Sequence, residues 1–150
     1  MPDRTLAITG GCRCGATRYA LAVEAMPPVY CCHCLDCQRW SGSAFSEQAV
    51  VREDAIALTG PIVDYSYDTR SGARSHQRIC GVCHSRIFNS NTHRPGIALL
   101  RAGTLDASDT IVPRAHIWVK RKQPWVVLPD AVPSFPENAP LAEFARILMP

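Results

Sequence analysis

No run of 18 apolar residues occurs in the 150-residue chain, so no membrane-spanning helix is expected. The opening Met1-Pro-Asp-Arg-Thr5 lacks the apolar core and cleavage site of a signal peptide, and the expected location is the cytoplasm. No internal repeat shows, which argues against solenoids and propellers. No long polar or low-complexity run marks a disordered segment. Strand-like and helix-like stretches do not alternate, so a parallel βαβ sheet is not expected. The apolar fraction is an ordinary 47%, and the length suits one domain with its own core, taken here as residues 1–150.

Against this plain background stand eight cysteines. In a reducing compartment thiols rarely pair as disulfides, and clustered ones more often bind metal. Four lie in Tyr30-Cys31-Cys32-His33-Cys34-Leu35-Asp36-Cys37-Gln38-Arg39; Cys12 and Cys14 precede them, and Cys80 and Cys83 follow. The formal charge of +3 counts every thiol as neutral, and seven thiolates on two Zn²⁺ ions would bring it to neutrality. The basicity then reads as counter-charge to metal sites, and no nucleic-acid partner is expected from it.

About nine short strands are predicted, separated by turn signals, which points to a mainly β domain. Residues 5–9 form the first candidate. In 17–23, Tyr19, Leu21 and Val23 alternate with Arg18 and Ala20, as in a half-buried strand. Further candidates are 44–51, 56–58, 62–67, 77–80, 86–89, 97–102, 117–119 and 125–128. One helix is predicted near the end. Asn138 can cap it, Pro140 suits its first turn, and Leu141, Phe144, Ala145 and Leu148 follow at helical spacing. The late prolines suit an extended C-terminal wrap over 134–150.

Tetrahedral zinc sets thiolate sulfurs about 3.8 Å apart. Two cysteines two apart on a strand have Cα atoms roughly 6.6 Å apart, so the backbone must bend for Cys12 and Cys14 to converge; Gly10, Gly11 and Gly15 can supply the freedom. Cys80-Gly-Val-Cys83 is a zinc knuckle. Joined to Cys12 and Cys14 it would make a closed, structural four-cysteine site. Cys32, Cys34 and Cys37 can reach one ion from a single short loop and leave a fourth position open, as catalytic zinc requires. Cys31 points the other way in an extended segment and reads as a buried apolar residue. Spacing alone leaves two alternatives. One four-cysteine site could combine the central loop with Cys80 and Cys83, or Cys34 and Cys37 could form a redox pair.

In order along the chain, Gly11-Cys12-Arg-Cys14-Gly15-Ala-Thr-Arg-Tyr19, Cys32-His-Cys34-Leu-Asp-Cys37-Gln-Arg39 with Ser41-Gly42, Cys80-x-x-Cys83, Gly103-Thr-Leu-Asp106 and Pro113-Arg-Ala-His116-Ile-Trp118 resemble the glutathione-dependent formaldehyde-activating enzyme family, also called the centromere protein V family. The resemblance covers about residues 10–133. It implies a β-tent-like set of short antiparallel sheets around a structural zinc on Cys12, Cys14, Cys80 and Cys83, with a second zinc on Cys32, Cys34 and Cys37. It also implies a carbon–sulfur lyase that joins glutathione and formaldehyde into S-hydroxymethylglutathione, or splits the adduct.

Two departures stand out. Histidine, His84, follows the second knuckle cysteine where relatives carry glycine, a position that tends to need φ > 0. Gln38-Arg39 replaces a pair of basic residues, leaving Arg39 as the candidate anchor for a substrate carboxylate. His33 is a candidate proton carrier, or a side chain turned away from the metal. His116 has the same two readings, catalysis or a hydrogen-bonded core residue. The alternative function is a non-catalytic scaffold in which both zincs are structural.

Overall fold

The computed structural model describes residues 7–149. Ten strands and two helices lie among them, and the chain divides into two compact units. One comprises the chain up to Pro27 with Val50–Thr110; the other comprises Pro28–Ala49 with the chain from Ile111 on. The architecture is mainly β with a short C-terminal helix, as the sequence predicts.

In the first unit, β1 (Ile8–Gly11) pairs antiparallel with β2 (Arg18–Leu21), and β2 pairs with β5 (Ile56–Thr59). Thr5 and Leu6, part of the predicted first strand, lie outside the described residues. Tyr19 and Leu21 are buried, as their alternation requires, and Arg18 faces outward. A second, antiparallel meander holds β6 (Ile62–Asp68), β7 (Arg74–Cys80), β8 (Arg86–Asn91) and β9 (Ile97–Arg101) in the order β9-β8-β7-β6. Its hairpin turn is closed by Thr69, whose N–H donates to the Ala73 carbonyl at 2.8 Å.

The glycines of β1 are there for a reason the sequence did not show. Neither Gly10 nor Gly11 has positive φ, so conformational freedom is not their role. A Cβ on Gly10 would lie 2.2 Å from the Tyr19 hydroxyl oxygen and 2.4 Å from the Thr104 carbonyl. Gly10 is glycine so that Tyr19 can cross it and hydrogen-bond the Thr104 hydroxyl at 2.8 Å.

The Gly103-Thr-Leu-Asp106 motif completes this corner. Asp106 accepts from Thr9 Oγ1 at 2.6 Å and from the Arg18 guanidinium, and its own N–H donates to the Thr9 carbonyl at 2.9 Å. Arg18 and then Thr9 hold the Asp106 carboxyl down to about 2. The folded carboxyl thus releases its proton more readily than the unfolded one. Its contribution to stability is present above about pH 4 and is lost as the pH falls through 2. The pair is half exposed, so the gain is about 1 kcal/mol at most. Asp106→Asn should therefore cost about 1 kcal/mol in urea unfolding at pH 7, with the gap from wild type closing as the pH nears 2. A gap that stays constant with pH would exclude an electrostatic origin.

In the second unit, β3 (Val29–Cys32) pairs antiparallel with β4 (Ser46–Arg52), which continues into the first unit, and parallel with β10 (Ala115–Ile117). All four residues of β3 are buried, which fits an apolar strand covered on both faces. The strand predicted for 117–119 ends early because Trp118 has φ 58, which breaks the ladder. The predicted strand at 125–128 does not form. Val126 N–H closes a turn on the Gln123 carbonyl, between Pro124 and Pro129, which lack the N–H a ladder needs. The C-terminal wrap runs beside β10: His116 N–H donates to the Pro133 carbonyl and Phe135 N–H to the His116 carbonyl, both at 2.9 Å.

Helix α1 (Leu35–Ser41) was not expected and grows directly out of the cysteine loop. Helix α2 (Leu141–Leu148) confirms the predicted one, but Pro140 stands at its N-cap. Asn138 instead accepts from the Trp118 indole at 2.9 Å. Leu148 is buried, and Phe144 meets Tyr30 edge-on with ring centroids 5.0 Å apart.

Candidate metal centres

The first unit brings Cys12, Cys14, Cys80 and Cys83 together, with all four sulfurs within 4.8 Å of one another. The Cys12–Cys14 sulfurs are 3.5 Å apart and the Cys14–Cys80 sulfurs 3.9 Å, bracketing the spacing of about 3.8 Å that a tetrahedral zinc sets. Two turns produce this convergence. After β1 the chain folds back, so that Gly15 N–H reaches the Cys12 carbonyl and Thr17 N–H donates to Cys12 Sγ at 3.3 Å. Between β7 and β8 the knuckle aims the N–H groups of Val82 and Cys83 at Cys80 Sγ, at 3.4 and 3.5 Å. The Ser85 hydroxyl lies 3.2 Å from Cys83 Sγ and, with its backbone, holds that thiol down to about 5. Converging sulfurs met by N–H and O–H donors, with the Cys83 thiol biased toward the thiolate, fit a cation.

The knuckle closes through His84, whose N–H donates to the Cys80 carbonyl at 3.1 Å and whose φ is 64. The left-handed conformation anticipated at this position is present, carried by histidine. Left-handed backbone costs an L-residue about 1–2 kcal/mol. His84→Gly should raise the stability of the metal-loaded protein by up to about 1 kcal/mol, and His84→Val should lower it by about as much. Chemical unfolding of the three proteins would show that ranking; equal midpoints would mean the knuckle absorbs the strain elsewhere.

In the second unit Cys32, Cys34 and Cys37 converge within the same 4.8 Å limit, without Cys31. Cys31 is buried, and burial pushes its thiol up to about 12, so it behaves as the apolar residue anticipated. Cys32 ends β3. Cys34 is the N-cap of α1, and its sulfur accepts from Cys37 N–H at 3.3 Å. Gly42, at φ 64, closes the helix with its N–H on the Gln38 carbonyl. The three sulfurs share charge unequally: Cys32 and then Cys37 hold the Cys34 thiol down to about 2, while the Cys32 thiol is pushed up by hydrogen bonding to Cys34 and Cys37.

His33, the residue between two of these cysteines, is turned away from them. It is 0% exposed; its Nε2 lies 2.9 Å from His116 Nδ1, and its Nδ1 has no partner. Burial, and then the charge of His116, hold its imidazole down to about 4. The backbone N–H of His33 donates to the Ile117 carbonyl at 3.0 Å. Arg39 lies on the exposed side of α1.

One residue at this centre was not read from the sequence. Gln48, on β4 and 5% exposed, donates from Nε2 to Cys37 Sγ at 3.5 Å and accepts from the Tyr30 hydroxyl at 3.1 Å. The register that pairs Tyr30 with Gln48 and Cys32 with Ser46 sets it on the cysteine face. Its strand reads Ser46-Glu-Gln-Ala-Val-Val-Arg52, in which Gln48 is one polar residue among several, so the sequence carried no signal for it.

Fold and cysteine clusters together define a mainly β protein with two candidate metal centres, one of four sulfurs and one of three. The chain belongs to the glutathione-dependent formaldehyde-activating enzyme family, whose model matches residues 7–121. Among solved structures, a Rhodobacter sphaeroides protein is similar with a TM-score of 0.54 at 18% identity, over 71% of this chain and 93% of that one. At that identity the likeness speaks for the fold. A search of the curated proteins found no match. No helix among the described residues is long and apolar enough to cross a membrane.

Proposed function

We propose that the protein is a zinc-dependent carbon–sulfur lyase of the formaldehyde-activating type, working in the cytoplasm on a glutathione-like thiol and its aldehyde adduct. The observation that carries this reading is the contrast between the two centres. Cys12, Cys14, Cys80 and Cys83 offer a full tetrahedral set, whereas Cys32, Cys34 and Cys37 offer three sulfurs. Both donor sets are soft and suit zinc. A zinc ion on the second set would supply a binding place for a substrate thiolate and Lewis acidity toward an aldehyde oxygen.

The chain's own residues do the rest. Cys34, at the head of α1, and Cys32, at the end of β3, hold the ligands on two rigid elements. Gln48 keeps Cys37 in place through its amide. Arg39 offers a planar fork for a substrate carboxylate. In the forward reaction a bond forms between sulfur and the aldehyde carbon, and the thiol proton ends on the aldehyde oxygen. This addition needs little beyond bringing the two reactants together. Of the two roles open to His33, its burial and its bond to His116 favour positioning of the cysteine loop.

Glutathione titration of the zinc-loaded protein by calorimetry tests the reading. Binding at or below millimolar concentration that disappears in Cys34→Ser is the expected result. No binding at millimolar concentration would remove glutathione as the substrate and favour a scaffold with two structural zincs.

A further inference from the structure

A cleft of 430 Å³ opens along α1, lined among others by Gln38, Arg39, Ser43, Gln123 and Trp125. It is open on its outer side, so a ligand seated in it stays partly exposed. Gln38, which lines it, hydrogen-bonds the His33 carbonyl, so the cleft borders the loop that carries Cys32, Cys34 and Cys37.

Trp125 is 71% exposed, yet it is not left to adapt. Its indole N–H donates to Gln123 Oε1 at 2.7 Å, and Gln123 Nε2 donates to Gln38 Oε1 at 3.3 Å. Gln38 Nε2 in turn donates to the carbonyls of His33 at 2.8 Å and Arg121 at 3.0 Å. This relay runs from the rim of the cleft to the peptide inside the cysteine loop. It orders a large aromatic surface without burying it, although ordering a side chain costs entropy that burial would normally offset. An anchored but uncovered indole suits a ligand. Arg39, on the same cleft, is exposed, and no carboxylate pairs with it among the described residues. The cysteine centre falls within the family match at 7–121, but Gln123 and Trp125 fall beyond it.

We propose that this cleft seats the peptide portion of a carboxylate-bearing thiol, with Trp125 as a specificity-determining platform under the amide groups and Arg39 on the carboxylate. The proposal rests on the thiol reading above and deepens it. A thiol without a peptide portion would reach the three-cysteine centre and gain nothing from the cleft.

The test uses cobalt-substituted protein, in which thiol binding is read from the sulfur-to-cobalt charge-transfer band. Glutathione and 2-mercaptoethanol are titrated into wild type, Trp125→Ala and Trp125→Phe. Trp125→Ala should weaken glutathione about tenfold, equivalent to about 1.4 kcal/mol, leave 2-mercaptoethanol unchanged, and be largely rescued by Trp125→Phe. Unchanged glutathione affinity, or equal weakening of both thiols, would overturn the proposal. If no thiol perturbs the wild-type band, the thiol reading itself fails, and S-methylglutathione, which has no thiol, judges the cleft by calorimetry. Binding that Trp125→Ala weakens about tenfold sustains the cleft; absence of binding, or binding indifferent to Trp125, overturns it.

Discussion

Cys80→Ser should leave the first unit unfolded, while Cys34→Ser should leave the chain folded and one metal equivalent short. The difference follows from where each sulfur sits. Cys80 is fully buried at the end of β7, and its sulfur collects the N–H groups of the knuckle that joins β7 to β8. Its partners Cys12 and Cys14 lie at the start of the chain, so the four-sulfur centre ties β1 to the middle of the meander. Structural zinc contributes about 10–16 kcal/mol of apparent binding free energy in small zinc-folded peptides. Native domains exceed their unfolded states by only about 5–15 kcal/mol. A neutral serine hydroxyl in place of a buried thiolate therefore removes an amount comparable to the whole stability.

Cys34 is in another position. It is the N-cap of α1, and serine is among the best N-cap residues, so the bond from Cys37 N–H has a natural replacement. The local fold should persist, with the thermal midpoint falling by a few degrees for about 1 kcal/mol lost. Two sulfurs are too few to hold a zinc ion tightly, so a chain loaded at both centres should fall toward one metal equivalent. Circular dichroism melts together with elemental analysis give both readouts. Two variants that unfold alike, or two that both keep two metals, would remove the distinction between a structural and an open centre.

The sequence made the cysteine pairing nearly complete but not its causes. Spacing identified the knuckle and the three-cysteine loop because Cys-x-x-Cys geometry is local, settled within a turn. The resemblance supplied the long-range partnership of Cys12 and Cys14 with Cys80 and Cys83. Helix α1 was missed because its seven residues begin inside the cysteine motif and present no buried face, so no apolar period exists to be seen. Gly10 was misread because its reason is a tyrosine ring from the neighbouring strand, and a register is not written in one strand alone. Trp125 looked like part of a strand because aromatic and β-branched residues favour strands; the flanking prolines decided otherwise. Asn138 suited a helix cap by type, and the Trp118 indole claimed it instead.

Gln48 gives the second large expectation, and it follows from the same gap in sequence reasoning. A buried primary amide needs partners for both its ends. Here the oxygen is taken by the Tyr30 hydroxyl, so the nitrogen is the end left facing Cys37. Tyr30 is itself braced by Phe144, which makes the amide orientation a property of the strand pair and α2 together. An N–H donor aimed at a ligand sulfur holds the ligand's direction and offsets part of its negative charge, and such outer partners are worth about 10–100-fold in metal affinity. Gln48→Leu should accordingly weaken metal binding at the three-cysteine centre by about that factor, leaving the four-cysteine centre untouched. Competition with a chromophoric chelator resolves the two equivalents. Gln48→Glu keeps the shape but turns a carboxylate toward the thiolates, and like charges at that distance should weaken the zinc at least as much as leucine does. Tyr30→Phe removes the lock on the amide and should have a smaller effect in the same direction. If leucine at position 48 leaves the competition curve unchanged, the amide is a packing residue, and Cys37 is held by its own helix alone.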